Sequence, residues 1–291
     1  MTDQSKTSSA TTVKLTAEGK PQGFLQPLDV RTVTRYELRD DGIAVLTLDR
    51  PNKLNAFDEL MIREVRAAIW EANFDDRVKV IVITGAGRAF CSGRDINGLD
   101  YENNLSTAQY RAYVRANHEM LDDIEAIEKP VIAAINGIAA GGGTEIAIAC
   151  DFRIVSDRAS FLLPENQLGV IPASGACSRL TQMIGLGRLK EMVIAALPIE
   201  AQRAYDIGLA TRVVPHDAFM EGVLDFARIL LARAPLAMGM AKHIINTCQN
   251  VDTETGRILE RLGQSILIQT RDNTEGMTAF IEKRPARFEG R

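Results

Sequence analysis

The stretch PVIAAINGIAAGGGTE, at residues 130–145, decides the fold class of this chain. Its first part, Val131 to Ile135, is a short apolar run that follows a proline, and this pattern predicts a buried β-strand. Three successive glycines end the run of small residues, and the pattern after them predicts a short helix over residues 142–149. A buried strand that leads through a glycine turn into a helix is typical of an α/β protein with parallel strands.

Strands and helices alternate on both sides of this stretch. The Asp41-Gly42 pair predicts a hairpin turn between two strands. Periodicity predicts strands at 34–38 and 43–48, a helix at 57–73, a strand at 78–84, a helix at about 106–127 and a strand at 152–155. Beyond residue 174 the pattern is mostly helical, with one short extended piece at 211–214.

Three regions follow from this pattern. Residues 1–32 are polar and lack periodicity, and we expect them to form a disordered leader. Residues 33–195 are expected to form an α/β core, and residues 196–291 a helical C-terminal region. The N-terminus also lacks the apolar core of a secretion signal, so we expect a cytoplasmic protein.

Composition excludes several classes of protein. The chain has 291 residues, of which 46% are hydrophobic and 25% are charged, and its formal net charge is −4. This mild acidity gives no general attraction to nucleic acid or to a membrane surface, and we expect neither as a partner. Four separated cysteines and three histidines show no metal-ligand spacing, which favours reduced thiols and no metal site.

Three stretches depart from regular patterning just after predicted strands. They lie at residues 88–96, 136–145 and 162–166. Because the carboxyl ends of parallel strands open onto one crevice, all three could face a single site. The sequence therefore predicts that the chemistry lies where these stretches meet.

Each stretch also has a purely structural interpretation. The glycines at 141–143 could be only a tight turn, and Glu145 only a first-turn carboxylate favoured by the helix dipole. A phosphate-binding loop is disfavoured because no Gly-Lys-Ser/Thr follows, and a dinucleotide fingerprint fails because Phe90 occupies its third glycine position. Glu165 by itself could be a surface acid.

Taken together, the stretches predict an oxyanion hole beside two carboxyl groups. A helix that begins near Gly142 exposes unpaired N–H groups, and the Gly93-Arg94 turn could supply a second donor. Glu145 lies on the first turn of that helix, and Glu165 follows a neighbouring strand. Two carboxyl groups beside a polarised carbonyl suit proton transfer to and from water and the α-carbon.

These residues resemble the crotonase superfamily, and they are most similar to the enoyl-CoA hydratases. The resemblance runs from about Tyr36 to Arg287. It rests on RPNKLNA at 50–56, AFCSGRD at 89–95, PVIAAING at 130–137, AGGGTE at 140–145, ACD at 149–151 and EGMTAFIEKR at 275–284. It implies an α/β fold of stacked ββα turns with a C-terminal helical trimerisation region, assembled as a homotrimer or homohexamer.

The resemblance also implies the roles of individual residues. The N–H groups of Arg94 and Gly142 would hold the thioester oxygen of an acyl-CoA. Glu165 would exchange a proton with the α-carbon, and Glu145 would activate water for the β-carbon. The residues implied to bind coenzyme A are Lys53, Asn55, Ala56, Arg88 and Phe90, with Phe280 and Lys283 supplied by a neighbouring subunit. Coenzyme A is then part of the substrate, and no separate cofactor is expected.

Both glutamates together favour hydration of a 2-enoyl-CoA over the other reactions of the superfamily. The alternatives are an isomerase, another lyase or a thioester hydrolase, and less plausibly an RNA-binding member, which would need a basic surface. Four residues depart from the usual pattern of the hydratases: Arg94, Leu162, Ala173 and Ala176. These departures predict an uncommon acyl group that is branched, cyclic or aromatic.

Overall fold

Two β-sheets organise the protein, for which a computed structural model describes residue 28 and residues 30–96 and 104–291. The strands of these residues are β1 (Thr34–Leu38), β2 (Ile43–Leu48), β3 (Val80–Gly85), β4 (Ala89–Cys91), β5 (Val131–Ile135), β6 (Ile138–Ala140), β7 (Phe152–Ser156), β8 (Ser160–Leu162), β9 (Ile199–Glu200) and β10 (Arg212–Val214). The larger sheet has the order β1-β2-β3-β5-β7-β10, and the smaller one has the order β4-β6-β8-β9. In the larger sheet β1 and β2 are antiparallel, and the pairings from β2 to β10 are parallel.

Helices connect these strands and make up most of the C-terminal third. They are α1 (Glu59–Phe74), α2 (Thr107–Ala126), α3 (Gly142–Ala149), α4 (Ala176–Ile184), α5 (Leu186–Ile194), α6 (Ala201–Asp206), α7 (Phe219–Leu231), α8 (Pro235–Cys248), α9 (Thr253–Leu267) and α10 (Arg271–Glu282). Side-chain caps mark where α1, α2, α9 and α10 begin. Ser106, for example, forms a capping box with Gln109 at the start of α2.

Strand β5 lies in the middle of the larger sheet, between β3 and β7, and it is fully buried. Its residues alternate between two cores. Val131, Ala133 and Ile135 pack in the core that contains α1 and α3, whereas Ile132 and Ala134 pack in the core covered by α7. Because both faces of the sheet are covered, the strand is a continuous apolar run without polar alternation.

Several elements predicted from the sequence are confirmed. The strands at 34–38, 43–48 and 131–135 and the helix at 142–149 have the predicted bounds. The helix predicted at 57–73 begins at Glu59 instead, because Asp58 caps it by accepting a hydrogen bond from the Met61 N–H at 3.0 Å. Periodicity missed β4, β6 and β8, since a strand of three residues is too short to show a period.

The C-terminal third contributes to both sheets. Strand β9 pairs with β8, β10 pairs with β7, and α7 covers one face of the larger sheet. The domain boundary between residues 195 and 196 stays a prediction, and most of the predicted leader lies outside the described residues. Within the described ranges, none of the helices combines the length and the apolar character that crossing a membrane requires.

Candidate active site

The smaller sheet brings the three candidate stretches together. Strands β4, β6 and β8 are parallel neighbours, so their carboxyl ends lie side by side. The chain after β4 leads to Arg94, the chain after β6 begins α3 at Gly142, and the chain after β8 leads to Glu165. The predicted meeting of these stretches therefore has a structural cause, which is the short sheet that periodicity did not detect.

The three glycines at the start of α3 allow close contacts that a side chain would block. A Cβ added to Gly141 would lie 3.0 Å from Glu165 Oε1, and one added to Gly142 would lie 2.6 Å from the Phe57 ring. A Cβ added to Gly143 would lie only 2.1 Å from the Cys91 carbonyl oxygen. The glycines thus shape a tight turn and also bring the backbone of α3 against Glu165.

The backbone of the Gly93-Arg94 turn passes directly beside the start of α3. Gly93 has a φ of 94°, and a Cβ on it would lie 3.2 Å from the Gly142 nitrogen and 2.8 Å from the Ala140 oxygen. The N–H of the first residue of a helix has no acceptor within that helix. The structure therefore places the backbone nitrogens of Arg94 and Gly142 in adjacent segments, as a pair of oxyanion donors requires.

Glu145 lies on the first turn of α3, and its side chain is buried, with 4% of the residue exposed. Its Oε1 accepts hydrogen bonds from the backbone N–H groups of Ser174 at 2.7 Å and Ala176 at 3.2 Å. Burial raises the pKa of Glu145, and these two hydrogen bonds oppose the rise. The carboxyl group is therefore held in one orientation by the backbone that begins α4.

Glu165 begins a 3-10 turn, Glu165–Leu168, that follows β8. Its Oε2 is buried and has no hydrogen-bond partner within the described ranges. Burial, and after it the negative charge of Glu145, raises the pKa of Glu165 to about 7. At neutral pH this carboxyl group can both donate and accept a proton, whereas Glu145 is held by hydrogen-bond donors.

Comparison with known proteins identifies the family. A family model described as Enoyl-CoA hydratase/isomerase matches residues 39–291. The chain belongs to the enoyl-CoA hydratase/isomerase family. The sequence-based predictions of the crotonase superfamily and of an enoyl-CoA hydratase-type enzyme are thereby confirmed.

Relatives within this family cover most of the chain. It is 36% identical over 251 residues to the crotonyl-CoA hydratase of Syntrophomonas wolfei, which covers 86% of this chain and 95% of that protein. It is 34% identical over 267 residues to the human mitochondrial methylglutaconyl-CoA hydratase, covering 90% of this chain and 78% of that protein. The crystal structure of the Bacillus anthracis enoyl-CoA hydratase superposes with a TM-score of 0.84 at 34% identity, covering 89% of this chain and all of that one. The predicted crotonase-like α/β fold is confirmed by this similarity.

The side chain of Arg94 is held by contacts with two helices, α1 and α2. Its Nη2 donates to Glu59 Oε1 at 2.5 Å and contacts the hydroxyl group of Tyr113, and its guanidinium lies 5.4 Å from the centre of the Tyr113 ring. The Tyr113 hydroxyl in turn donates to Glu59 Oε1 at 2.6 Å. The Arg94 side chain therefore ties the Gly93-Arg94 turn to α1 and α2.

The residues predicted to bind coenzyme A fall into a buried group and an exposed group. Asn55 is fully buried, has a φ of 57°, and donates hydrogen bonds from Nδ2 to the carbonyl oxygens of Ala86, Ala89 and Phe90. Phe90 is fully buried in the core, and Ala56 is 8% exposed. Asn55 therefore fixes the loop at residues 50–56 against the loop at residues 86–90.

Two cations remain at the surface of the same loops. Arg88 is exposed, and Lys53 pairs with Asp95 at 2.8 Å while 47% of its side chain stays exposed. Arg88 also lines a cleft of about 750 Å³, together with Leu54, Asn136, Arg158 and His216. Cationic side chains around such a cleft suit an anionic ligand.

Phe280 and Lys283 lie at the end of α10, and both are exposed in the single chain, Phe280 at 83%. Their contact with the coenzyme of a neighbouring subunit stays a prediction. No group of histidine, cysteine, aspartate and glutamate side chains that could hold a metal ion occurs in residues 30–96 and 104–291.

Sequence reasoning missed the residues that hold Glu145 in place. Ser174 and Ala176 act through their backbone N–H groups, which no side-chain motif reveals. Glu59 and Tyr113 were also missed, because their contact with Arg94 joins segments that are distant in the sequence. The one available signal was Gly175, a glycine just before a helical pattern, which is a common way for a helix to begin.

Proposed function

We propose that this protein adds water to, or removes it from, the double bond of a 2-enoyl-CoA thioester. The proposal rests on one observation above all. Two carboxyl groups, that of the buried Glu145 and that of the half-buried Glu165, lie at the glycine-rich start of α3, and the negative charge of Glu145 acts on the pKa of Glu165. Hydration needs two groups that exchange protons. A single site that binds the carbonyl oxygen between them can serve both proton transfers.

The thioester carbonyl oxygen would accept hydrogen bonds from the N–H groups of Gly142 and Arg94. Negative charge builds up on this oxygen as the β-carbon is attacked, because the thioester passes through an enolate-like state. A preorganised donor at such an oxygen is worth about 2.7–4 kcal/mol. The close approach of Gly93 to the Gly142 nitrogen supports this arrangement.

The two glutamates would divide the proton transfers. Glu145 takes a proton from water, whose oxygen forms a bond to the β-carbon, and Glu165 gives its proton to the α-carbon. The substrate thus gains one hydroxyl group and one hydrogen, and a proton passes from Glu145 back to Glu165 through solvent. Dehydration runs the same steps in reverse. The raised pKa of Glu165, about 7, suits a group that must work in both directions.

Coenzyme A would lie along the loops that Asn55 fixes, with Lys53 and Arg88 near its phosphates. Phe280 and Lys283 would come from a second copy of the chain, in a homotrimer or a homohexamer. Large apolar side chains exposed on α9 and α10 support such an assembly, since a monomer rarely leaves so many unburied. They are Leu262, Ile266, Met277, Phe280 and Ile281, each more than half exposed.

The acyl group would be branched, cyclic or aromatic. Support comes from Leu162 and Ala176, two of the residues that depart from the usual pattern. Leu162 ends β8, and its carbonyl oxygen accepts a hydrogen bond from the Gly141 N–H, whereas Ala176 begins α4 and donates its N–H to Glu145. Relatives named for a branched acyl group include the mouse and human methylglutaconyl-CoA hydratases. A kinetic comparison of straight-chain, branched and aromatic enoyl-CoAs tests the idea, and a preference for crotonyl-CoA would contradict it.

Product analysis in isotopically labelled water tests the reaction class. Hydration adds one labelled oxygen to the acyl group, isomerisation changes neither mass nor oxygen content, and hydrolysis places the label in a free carboxylic acid. We expect the labelled 3-hydroxyacyl-CoA. Exclusive formation of either of the other products would contradict the proposal.

A further inference from the structure

The turn that holds Glu145 is itself held by an ion pair between α2 and α4. Arg179 of α4 donates from Nε and Nη2 to the two carboxylate oxygens of Glu125 of α2, both at 2.6 Å. Its Nη1 donates to the Ser174 carbonyl oxygen at 2.9 Å. The planar guanidinium therefore uses one edge for the carboxylate and another atom for the backbone, an arrangement that a lysine cannot reproduce.

Gly175 allows the guanidinium to lie against this turn. Its φ is 101°, and a Cβ on it would lie 1.8 Å from Arg179 Nη1. The Arg179 side chain cannot move aside without loss of its hydrogen bonds to Glu125 and Ser174. Residue 175 therefore needs to be glycine for its backbone conformation and for the approach of Arg179.

These contacts form a continuous path to the acid at the site. Glu125 orients Arg179, Arg179 holds the carbonyl oxygen of Ser174, and the N–H groups of Ser174 and Ala176 hold Glu145 Oε1. The same three-residue turn thus faces Arg179 on one side and Glu145 on the other. A shift of the turn would carry both N–H donors away from the carboxylate.

We propose that Arg179 is a positioning residue for Glu145: it fixes the Ser174–Ala176 turn so that the Glu145 carboxylate keeps the orientation needed to activate water. The inference rests on the proposed function, in which Glu145 accepts a proton from water. Misplacement of a reacting group by about 1 Å can cost about 100-fold in rate. Arg179 therefore acts on kcat without touching the substrate.

The charged groups around Glu145 also favour this role for Arg179. The charged or titratable groups that face Glu145 are His118 of α2, Glu165 after β8, and Cys177 and Arg179 of α4. Arg179 is the permanent cation among them, and its pKa is raised by its hydrogen bonds to Glu125 and also by the charge of Glu145. Asp122 lies 3.9 Å from the same guanidinium. Removal of Arg179 takes a positive charge from the surroundings of Glu145 and loosens its donors, and both changes raise the pKa of Glu145.

The chain offers a matched control for this ion pair. Arg66 of α1 donates to Asp123 at 2.7 Å and to Glu119 at 2.6 Å, so it also joins a helix to α2 through carboxylates. The exposed side-chain fractions are similar, 22% for Arg66 and 17% for Arg179. Arg66→Met removes an equivalent ion pair that has no contact with the Ser174–Ala176 turn.

The experiment compares Arg179→Met, Arg179→Lys and Arg66→Met for kcat, KM and the pH profile of hydration. We expect Arg179→Met to lower kcat about 100-fold with little change in KM, and to move the acidic limb of the profile to higher pH. Arg179→Lys keeps the positive charge but loses the two parallel hydrogen bonds to Glu125. The acidic limb of its pH profile should therefore lie near that of the native enzyme, while its kcat should stay low. Arg66→Met should keep kcat and the profile. If Arg66→Met loses as much activity as Arg179→Met, the role of Arg179 is only structural and the inference is wrong.

A double-mutant cycle separates this inference from the proposed function. In a Glu145→Gln background, Arg179→Met should cause little further loss, because its effect passes through Glu145. A further loss of the same size as in the native background would overturn the inference alone. Full activity of Glu145→Gln by itself would overturn the proposed mechanism instead. If Arg179→Met does not fold, Glu125→Gln, which preserves shape and removes one charge, should give a smaller loss of the same kind, and an unchanged kcat there would also contradict the inference.

Discussion

The carboxyl group of Glu165 occupies the space that a side chain on Gly141 would need. A Cβ on Gly141 would lie 3.0 Å from Glu165 Oε1, and the backbone there has a φ of 52° and a ψ of −125°, a conformation that favours glycine. Because Gly141 is the residue just before α3, this contact sets Glu165 directly beside the glycine-rich start of the helix. A side chain on residue 141 would press on the carboxyl group and shift it away from the N-terminus of α3.

Gly141→Ala should therefore damage catalysis beyond its effect on stability. The added methyl group shifts the Glu165 carboxyl group by a few tenths of an ångström, and we expect kcat to fall about 10-fold, less than for a misplacement of a full ångström. The matched control is Gly208→Ala, since Gly208 also has a positive φ, 82°, but its nearest neighbour to an added Cβ lies at 3.9 Å. Steady-state kinetics and thermal unfolding of both variants provide the comparison. Equal losses of activity in the two variants would show that strain alone is responsible.

Glu145→Gln and Glu165→Gln should each lower kcat by about 100-fold or more, because general acid–base catalysis contributes on that scale. Glutamine preserves the shape of each side chain and removes the exchangeable proton. Glu191→Gln, at an exposed position on α5, serves as the control and should keep full activity. Near-normal turnover in either active-site variant would rule out a mechanism that uses two carboxyl groups.

The pH dependence of kcat/KM should have the same sign in both directions of the reaction. Hydration needs Glu165 protonated and Glu145 ionised, so its kcat/KM should fall as pH rises through about 7, the raised pKa of Glu165. Dehydration starts from the same total number of protons on the two glutamates, and the overall reaction releases no proton, so its kcat/KM should fall over the same range. This inflection should vanish in Glu165→Gln. An inflection near pH 7 that persists in Glu165→Gln would assign it to another group.

The exposed cation Arg88 should contribute to affinity for the coenzyme and not to the chemistry. Arg88→Ala should raise KM for an enoyl-CoA about 10-fold, since a hydrogen bond to a charged group is worth about 1.5 kcal/mol or more. KM for the corresponding pantetheine thioester, which lacks the nucleotide and its phosphates, should not change. Arg77→Ala removes another exposed cation, 78% accessible, as the control. An equal effect of Arg88→Ala on both thioesters would place Arg88 away from the nucleotide.

Much of the larger sheet could be predicted from the sequence because its signals are local. The apolar run at 131–135 and the glycines that follow it give the bounds of β5 and α3 without reference to the rest of the chain. Glu145 and Glu165 were also accessible as candidates, since each follows a strand of the predicted sheet. The strands are recognisable as continuous apolar runs because both faces of the sheet are covered by helices.

The contacts and burial of the candidate residues could not be predicted from the sequence in the same way. Asn55 matches a motif, yet its contacts with three carbonyl oxygens join segments more than 30 positions apart. Phe90 is also part of a motif, yet its side chain is fully buried in the core. A motif identifies the residue, but the direction of its side chain depends on which strand lies beside it.

The sequence by itself determined the α/β class and the family and identified the two acids as candidates, because strand periodicity, glycine turns and motif order are properties of neighbouring residues. Only the tertiary structure decided how those acids differ. The pKa of Glu165 is raised to about 7 because folding buries it beside Glu145. Glu145 is held by a turn that Arg179 and Glu125 fix from two other helices. Burial and hydrogen bonding between distant segments arise only when the chain is packed, and they set the chemistry of each carboxyl group.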